Sequence, residues 1–88
     1  MTYTIVVHRD PEGRYLVSVP ALKGCHTWGD SLPEALDMAR EAILGVIGVM
    51  REHGDPVPSD NPSVTVDMTD AAEAFVYRLA IKEAVAVA

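Results

Sequence analysis

Apolar and polar residues alternate with a period of two near the start of the chain, then change to a helical period. In residues 3–8, Tyr-Thr-Ile-Val-Val-His, Tyr3, Ile5 and Val7 share one side of an extended segment. Residues 14–19 repeat the pattern with Tyr15, Val17 and Val19. Between them Asp10-Pro11-Glu12-Gly13 has the order of a type I turn: an acceptor first, a preset φ second, glycine last. The two segments therefore predict an antiparallel hairpin. Pro20 to Gly24 interrupts the alternation, and residues 25–28, Cys-His-Thr-Trp, predict a short third strand ended by Gly29 and Asp30. Sequential strands usually pair, so a three-stranded meander is the simplest arrangement.

Ser31-Leu32-Pro33-Glu34 then reads as a capping box, with Ser31 as N-cap and Glu34 reaching back. Pro33 falls in the first turn, where a missing N–H is harmless. Leu36, Ala39, Ile43, Ile47 and Met50 follow at helical spacing, and Gly54 suits the position just past the end. The pattern predicts a helix over 32–53. Its second half, residues 42–50, is apolar around more than one face and contains Gly45 and Gly48. Two readings are open: close approach of another element of this chain, or a subunit contact through Leu44, Gly45 and Gly48.

Residues 55–62 hold three prolines and predict a stiff loop, and Ser63 to Asp67 alternate as a fourth strand. A helix-containing crossover of that length can return across a sheet. Residues 70–86 fit two templates. Phe75, Tyr77, Leu79 and Ile81 alternate as in a strand, while Asp70-Ala71-Ala72-Glu73 resembles a capping box and the segment is alanine-rich without Gly or Pro. The second set of signals favours a C-terminal helix. The expected architecture is α+β, β1-β2-β3-α1-β4 and then a helix: one domain over 1–88, with its core in 1–68 and a C-terminal segment over 69–88.

Composition narrows the function. The 88 residues carry seven Lys and Arg against thirteen Asp and Glu, a net charge of −6. Phosphate affinity comes from Lys and Arg, so a stand-alone nucleic-acid binder is disfavoured and a basic partner suits the balance. One cysteine excludes an intrachain disulfide and a multi-cysteine zinc site, and points to a reducing, cytoplasmic setting. The apolar run over 42–50 is far short of the roughly 20 residues that span a bilayer, so no membrane partner is expected.

The chemistry-bearing residues do not form a catalytic set. His8, His26 and His53 have no metal-ligand spacing, and Cys25 and His26 point to opposite faces of a strand. Cys25 with His8 or His26 would need spatial support that the spacing does not give, and a lone cysteine commonly packs as a small hydrophobe. A two-metal nuclease needs carboxylates converging on strand ends. Here Asp10 and Glu12 sit in a turn, and Asp67 ends the expected fourth strand. No glycine-rich phosphate loop precedes a helix. Neither an enzyme, a metal nor a cofactor is expected.

The order of motifs resembles the N-terminal domain of HicB-like antitoxins. The pieces are Tyr3-Thr-Ile-Val-Val, Asp10-Pro-Glu-Gly-Arg-Tyr-Leu-Val, Val19-Pro-Ala-Leu-Lys-Gly-Cys-His-Thr-Trp-Gly-Asp30-Ser, Glu34-Ala-Leu, and Gly54 with Pro56-Val-Pro58. The resemblance covers residues 1 to about 68. It implies a partial ribonuclease-H-like sheet without the ribonuclease acids, and a helix after β4. It also implies a role in binding and occluding a small basic ribonuclease toxin of the HicA type. Many members add an operator-binding domain; no separate DNA-binding domain is expected within these 88 residues, and DNA binding is not expected of this chain alone. The other functional expectation is an interaction or oligomerisation module with a non-toxin partner. Expected partner contacts are Asp10, Glu12, Trp28 and Asp30, on turns and on the third strand, where charge and an aromatic anchor would be offered. A homodimer or higher homo-oligomer is expected from the broad apolar helix face.

Overall fold

A computed structural model describes residues 1–61, 63, 64, 66 and 73–82. The chain runs β1 (Thr2–Arg9), β2 (Tyr15–Ser18), β3 (His26–Gly29), α1 (Leu32–Glu52) and β4 (Glu73–Ala80). The strands form one antiparallel sheet in the order β3-β2-β1-β4. The helix covers one face of it.

The first hairpin closes as the turn residues dictate. The Gly13 N–H donates to the Asp10 carbonyl at 3.0 Å, and Gly13 takes φ +88°, a value that favours glycine. The Asp10 carboxylate organises the rest: Oδ1 accepts from the backbone N–H groups of Glu12 and Arg14, and Oδ2 from the Arg14 side chain. After β2 a compact loop buries Val19, Leu22 and Cys25, tied by successive backbone hydrogen bonds among these three.

Helix α1 begins and ends on recognisable caps. The Ser31 hydroxyl accepts from the Glu34 N–H at 3.2 Å. At the other end the Gly54 N–H reaches the Arg51 carbonyl and the Asp55 N–H the Met50 carbonyl, the two bonds of a Schellman motif. Gly54 adopts the left-handed φ of +73° that this ending requires. Ala35, Ala39, Ile43 and Ile47 make the fully buried stripe. They pack on Tyr3, Ile5, Val7, Val17 and Leu79, the side chains that alternation directs to the same side of the sheet.

The C-terminal segment departs from the sequence reading. The expected helix over 70–86 is, over its described core, the strand β4, paired with all of β1 from Thr2↔Ala80 to Arg9↔Glu73. Residues 70–72 and 83–86 of that expectation lie outside the described residues. The strand expected over 63–67 is not seen at residues 63, 64 and 66, and 65 and 67 lie outside the described residues. The physical reason is the open edge of β1. Pairing there satisfies the backbone groups that β1 and β4 turn toward each other along eight registered pairs and buries Leu79 and Ile81, which outweighs alanine helix propensity.

The loop over 55–61 has its own task. β2 pairs with only Val6 to Arg9 of β1, so the first half of β1 projects past it. There Asp60 accepts from the Thr4 N–H at 2.6 Å and the Thr4 hydroxyl at 2.8 Å, while the Tyr3 hydroxyl donates to the Pro58 carbonyl.

Candidate partner-binding surfaces

Two exposed surfaces flank the core. The first is the sheet face turned away from α1. Register places Trp28, Leu16, His8 and Ala74 in one row across all four strands, and His26, Ser18, Val6 and Val76 in the next. Trp28 is 51% exposed, Val76 50% and Leu16 41%, while Val6 is buried. A concavity of about 420 Å³ lies over His8, Leu16, His26 and Trp28. The charged or ionisable side chains on these rows and the next residue of β4 are His8, His26 and Arg78. No described strand residue of this face is acidic.

The second surface is the outer flank of α1 beside β3. Met38, Ala42, Gly45 and Val49 recur at spacings of four, three and four and line the side of the helix next to the buried stripe. Met38, Gly45 and Val49 are exposed, and Ala42 is half-buried. A groove of about 570 Å³ runs between this flank and Gly24, Cys25 and His26 at the start of β3.

The residues expected to touch a partner divide between structural and exposed positions. Asp10 and Glu12 both meet Arg14, at 3.0 Å each, so the charge of the turn is partly balanced within the hairpin. Asp10 chiefly holds the turn. Desolvation pushes its carboxyl up, but hydrogen bonds from Arg14 and the Arg14 charge, with the Glu12 N–H, outweigh this and bring it below the ordinary 3.8. Trp28 stands on the open sheet face. Asp30 is exposed between β3 and the Ser31 cap, at the same end of the sheet as the 10–13 turn. The structure thus brings Asp10, Glu12 and Asp30 to one end of the sheet, with Trp28 one row in from it.

Leu44, Gly45 and Gly48 are exposed on α1. A Cβ built at Gly45 or Gly48 meets no described atom within 4 Å. The glycines therefore do not serve a close approach between described elements of this chain. The sequence pattern does not single out Leu16 and Val76 on the sheet or Met38 on the helix, whereas Ala42 and Val49 fall within the apolar run over 42–50. The signal for Leu16 was present: a hydrophobe between the core positions Tyr15 and Val17 has to point outward.

Cys25 is buried, and burial raises its thiol above the ordinary 9.0, the reverse of an activated nucleophile. Among the described residues no three His, Cys, Asp or Glu side chains come together as a metal-ion site. Among them, too, no helix is long and apolar enough to cross a membrane.

Among the described residues one helix packs on one face of a four-stranded antiparallel sheet, and Trp28, Leu16 and Val76 on the other face and one flank of the helix are exposed. The sequence profile described as "HicB_like antitoxin of bacterial toxin-antitoxin system" matches residues 3–87. The chain belongs to this HicB-like antitoxin family. It is 43% identical over 61 residues to UPF0150 protein Ta0767 of Thermoplasma acidophilum, covering 69% of this chain and 88% of that one. The fold is similar to the N-terminal domain of Burkholderia pseudomallei antitoxin HicB, with a TM-score of 0.67 and 27% identity over 94% of this chain and all of that domain. Against the Burkholderia antitoxin HicB crystal structure the TM-score is 0.73 with 31% identity, over 93% of this chain but only 62% of that one. The fold is also similar to a chain of the HicA3 and HicB3 toxin-antitoxin complex, with a TM-score of 0.70 and 22% identity over 94% of this chain and all of that one.

Proposed function

We propose that this chain is a non-catalytic antitoxin module that binds and neutralises a small basic ribonuclease toxin of the HicA type. The observation that carries the reading is the family match over nearly the whole chain, residues 3–87. A chain of the same fold, taken from a HicA–HicB complex, supports it. The charge balance is of the right sign, since −6 on a small domain favours encounter with a basic protein. The exposed Trp28, Leu16 and Val76 on the sheet and the exposed helix flank supply apolar area to exclude water at an interface. The proposed place of action is the cytoplasm.

Neutralisation here means occlusion. The antitoxin covers the toxin's RNA-binding surface, and its own carboxylates take the place of RNA phosphates beside the toxin's cations. No covalent step is required of this chain. Co-expression tests the reading: with a HicA-type toxin from a neighbouring gene, growth is restored and the two chains co-purify. Continued growth arrest with no co-purifying complex overturns it.

A further inference from the structure

We propose that the flank of α1 formed by Met38, Ala42, Gly45 and Val49 is a docking seam for one amphipathic helix of the basic toxin. This rests on the antitoxin reading above and adds where and how the partner sits. The spacing is that of the a and d positions of a coiled coil, sustained over three turns, while the adjacent stripe of Ala39, Ile43 and Ile47 is already used by the core. A second helix laid along the seam enters the groove beside Gly24, Cys25 and His26. Gly45 lies in the middle of the seam with no described atom within 4 Å of the place a Cβ would take. The two helix backbones can therefore approach closely at that point.

Charge selects the occupant. Glu34, Glu41 and Glu52 are exposed along the solvent border of the seam. None of the three makes an ion pair among the described residues. A helix with Lys or Arg beside its apolar stripe would meet all three. A second copy of this chain would bring the same carboxylates together, which disfavours self-docking here. The other sheet face carries His8, His26 and Arg78 on its described strands, and its nearby carboxylate, Asp60, is engaged by the Thr4 N–H and hydroxyl, so a basic helix finds no row of carboxylates there.

The experiment measures binding of the full chain to a catalytically inactive HicA-type toxin. Gly45→Arg, whose new Cβ meets no described atom within 4 Å, places bulk and a positive charge in the seam. It is expected to weaken binding by at least about tenfold, the effect of a disrupted central contact. Ser59→Arg makes the same charge change on an exposed position of the 55–61 loop and is expected to stay within about twofold, as a peripheral charge does. Glu41→Lys with Glu52→Lys is expected to slow association and flatten its salt dependence. Thermal melts and light scattering accompany each variant. If the unaltered chain does not bind the toxin, the antitoxin reading and the seam both fall. If it binds and Gly45→Arg binds as well, or Ser59→Arg weakens binding equally, the seam alone is overturned. If Gly45→Arg splits a dimer and leaves toxin binding intact, the occupant is a second copy and the seam proposal is likewise overturned.

Discussion

Gly29, the last residue of β3, lies so close to the first turn of α1 that a Cβ built on it would stand 2.5 Å from the backbone nitrogen of Ala35. The Ala35 Cα would be 2.9 Å away. Both neighbours are backbone, so neither can swing aside. Gly29 thus sets the distance between the third strand and the helix, and with it the groove beside Gly24 to His26. Gly29→Ala is expected to destabilise the fold by about 2–3 kcal/mol, in the range of core overpacking. A denaturant titration checks this. An unchanged midpoint would show that the strand and helix can separate freely.

Gly48 is the opposite case. It lies in the interior of α1 with open space where its side chain would be. Alanine there removes only the entropic cost of glycine in a helix. Gly48→Ala is expected to stabilise the chain by about 0.5–1 kcal/mol, read from the same titration. Destabilisation would place an unseen neighbour against that face.

Acid is expected to act through two carboxylates. Asp10 and Asp60 both lie below the ordinary 3.8 in the folded chain. For Asp60, desolvation pushes upward, but the hydrogen bonds from the Thr4 N–H and hydroxyl and from the Asn61 N–H, with the Arg78 charge, prevail. A carboxylate whose folded value is lowered contributes stability at pH values above 3.8 and loses it as the pH falls toward the lowered value. Thermal melts are therefore expected to weaken below about pH 4. The Asp10→Asn, Asp60→Asn double variant is expected to melt lower than the unaltered chain near neutrality and to lose less on acidification. Equal losses in both proteins would remove these two groups from the account.

Local chemistry made most of this fold readable before any coordinates. The 10–13 turn, the Ser31 cap and the Gly54 ending each depend on a few adjacent residues, and each is found where the sequence puts it. The α+β class and the meander followed from alternation at Tyr3, Ile5 and Val7 and at Tyr15, Val17 and Val19. The fourth strand was misplaced because its cause is distant. Phe75, Tyr77 and Leu79 do alternate, but only the unpaired edge of β1 decides between strand and helix for an alanine-rich segment. The exposed surfaces were half legible. Trp28 and Asp30 could be expected at the surface, whereas the engagement of Asp10 with Arg14 depends on a side-chain geometry that spacing does not reveal. The breadth of the apolar helix face was visible. Its division into a buried stripe at Ile43 and Ile47 and an open seam at Gly45 and Val49 required the position of the sheet.

Salt separates the charge contribution from the apolar one. Raising ionic strength from about 0.05 M to 0.5 M shortens screening from roughly 14 Å to 4 Å. Association with the toxin is expected to slow steeply over this range, while dissociation changes little. Surface-bound toxin and stopped-flow or optical kinetics check it. An association rate indifferent to salt would leave the net charge of −6 without a part in recognition.

The central claim is that this chain silences a ribonuclease by covering it. Its most direct test is RNA cleavage by the purified HicA-type toxin as the chain is titrated in. The expected result is a fall in cleavage that reaches completion at a fixed stoichiometric ratio, without degradation of the toxin. Undiminished cleavage at saturating chain would contradict the claim.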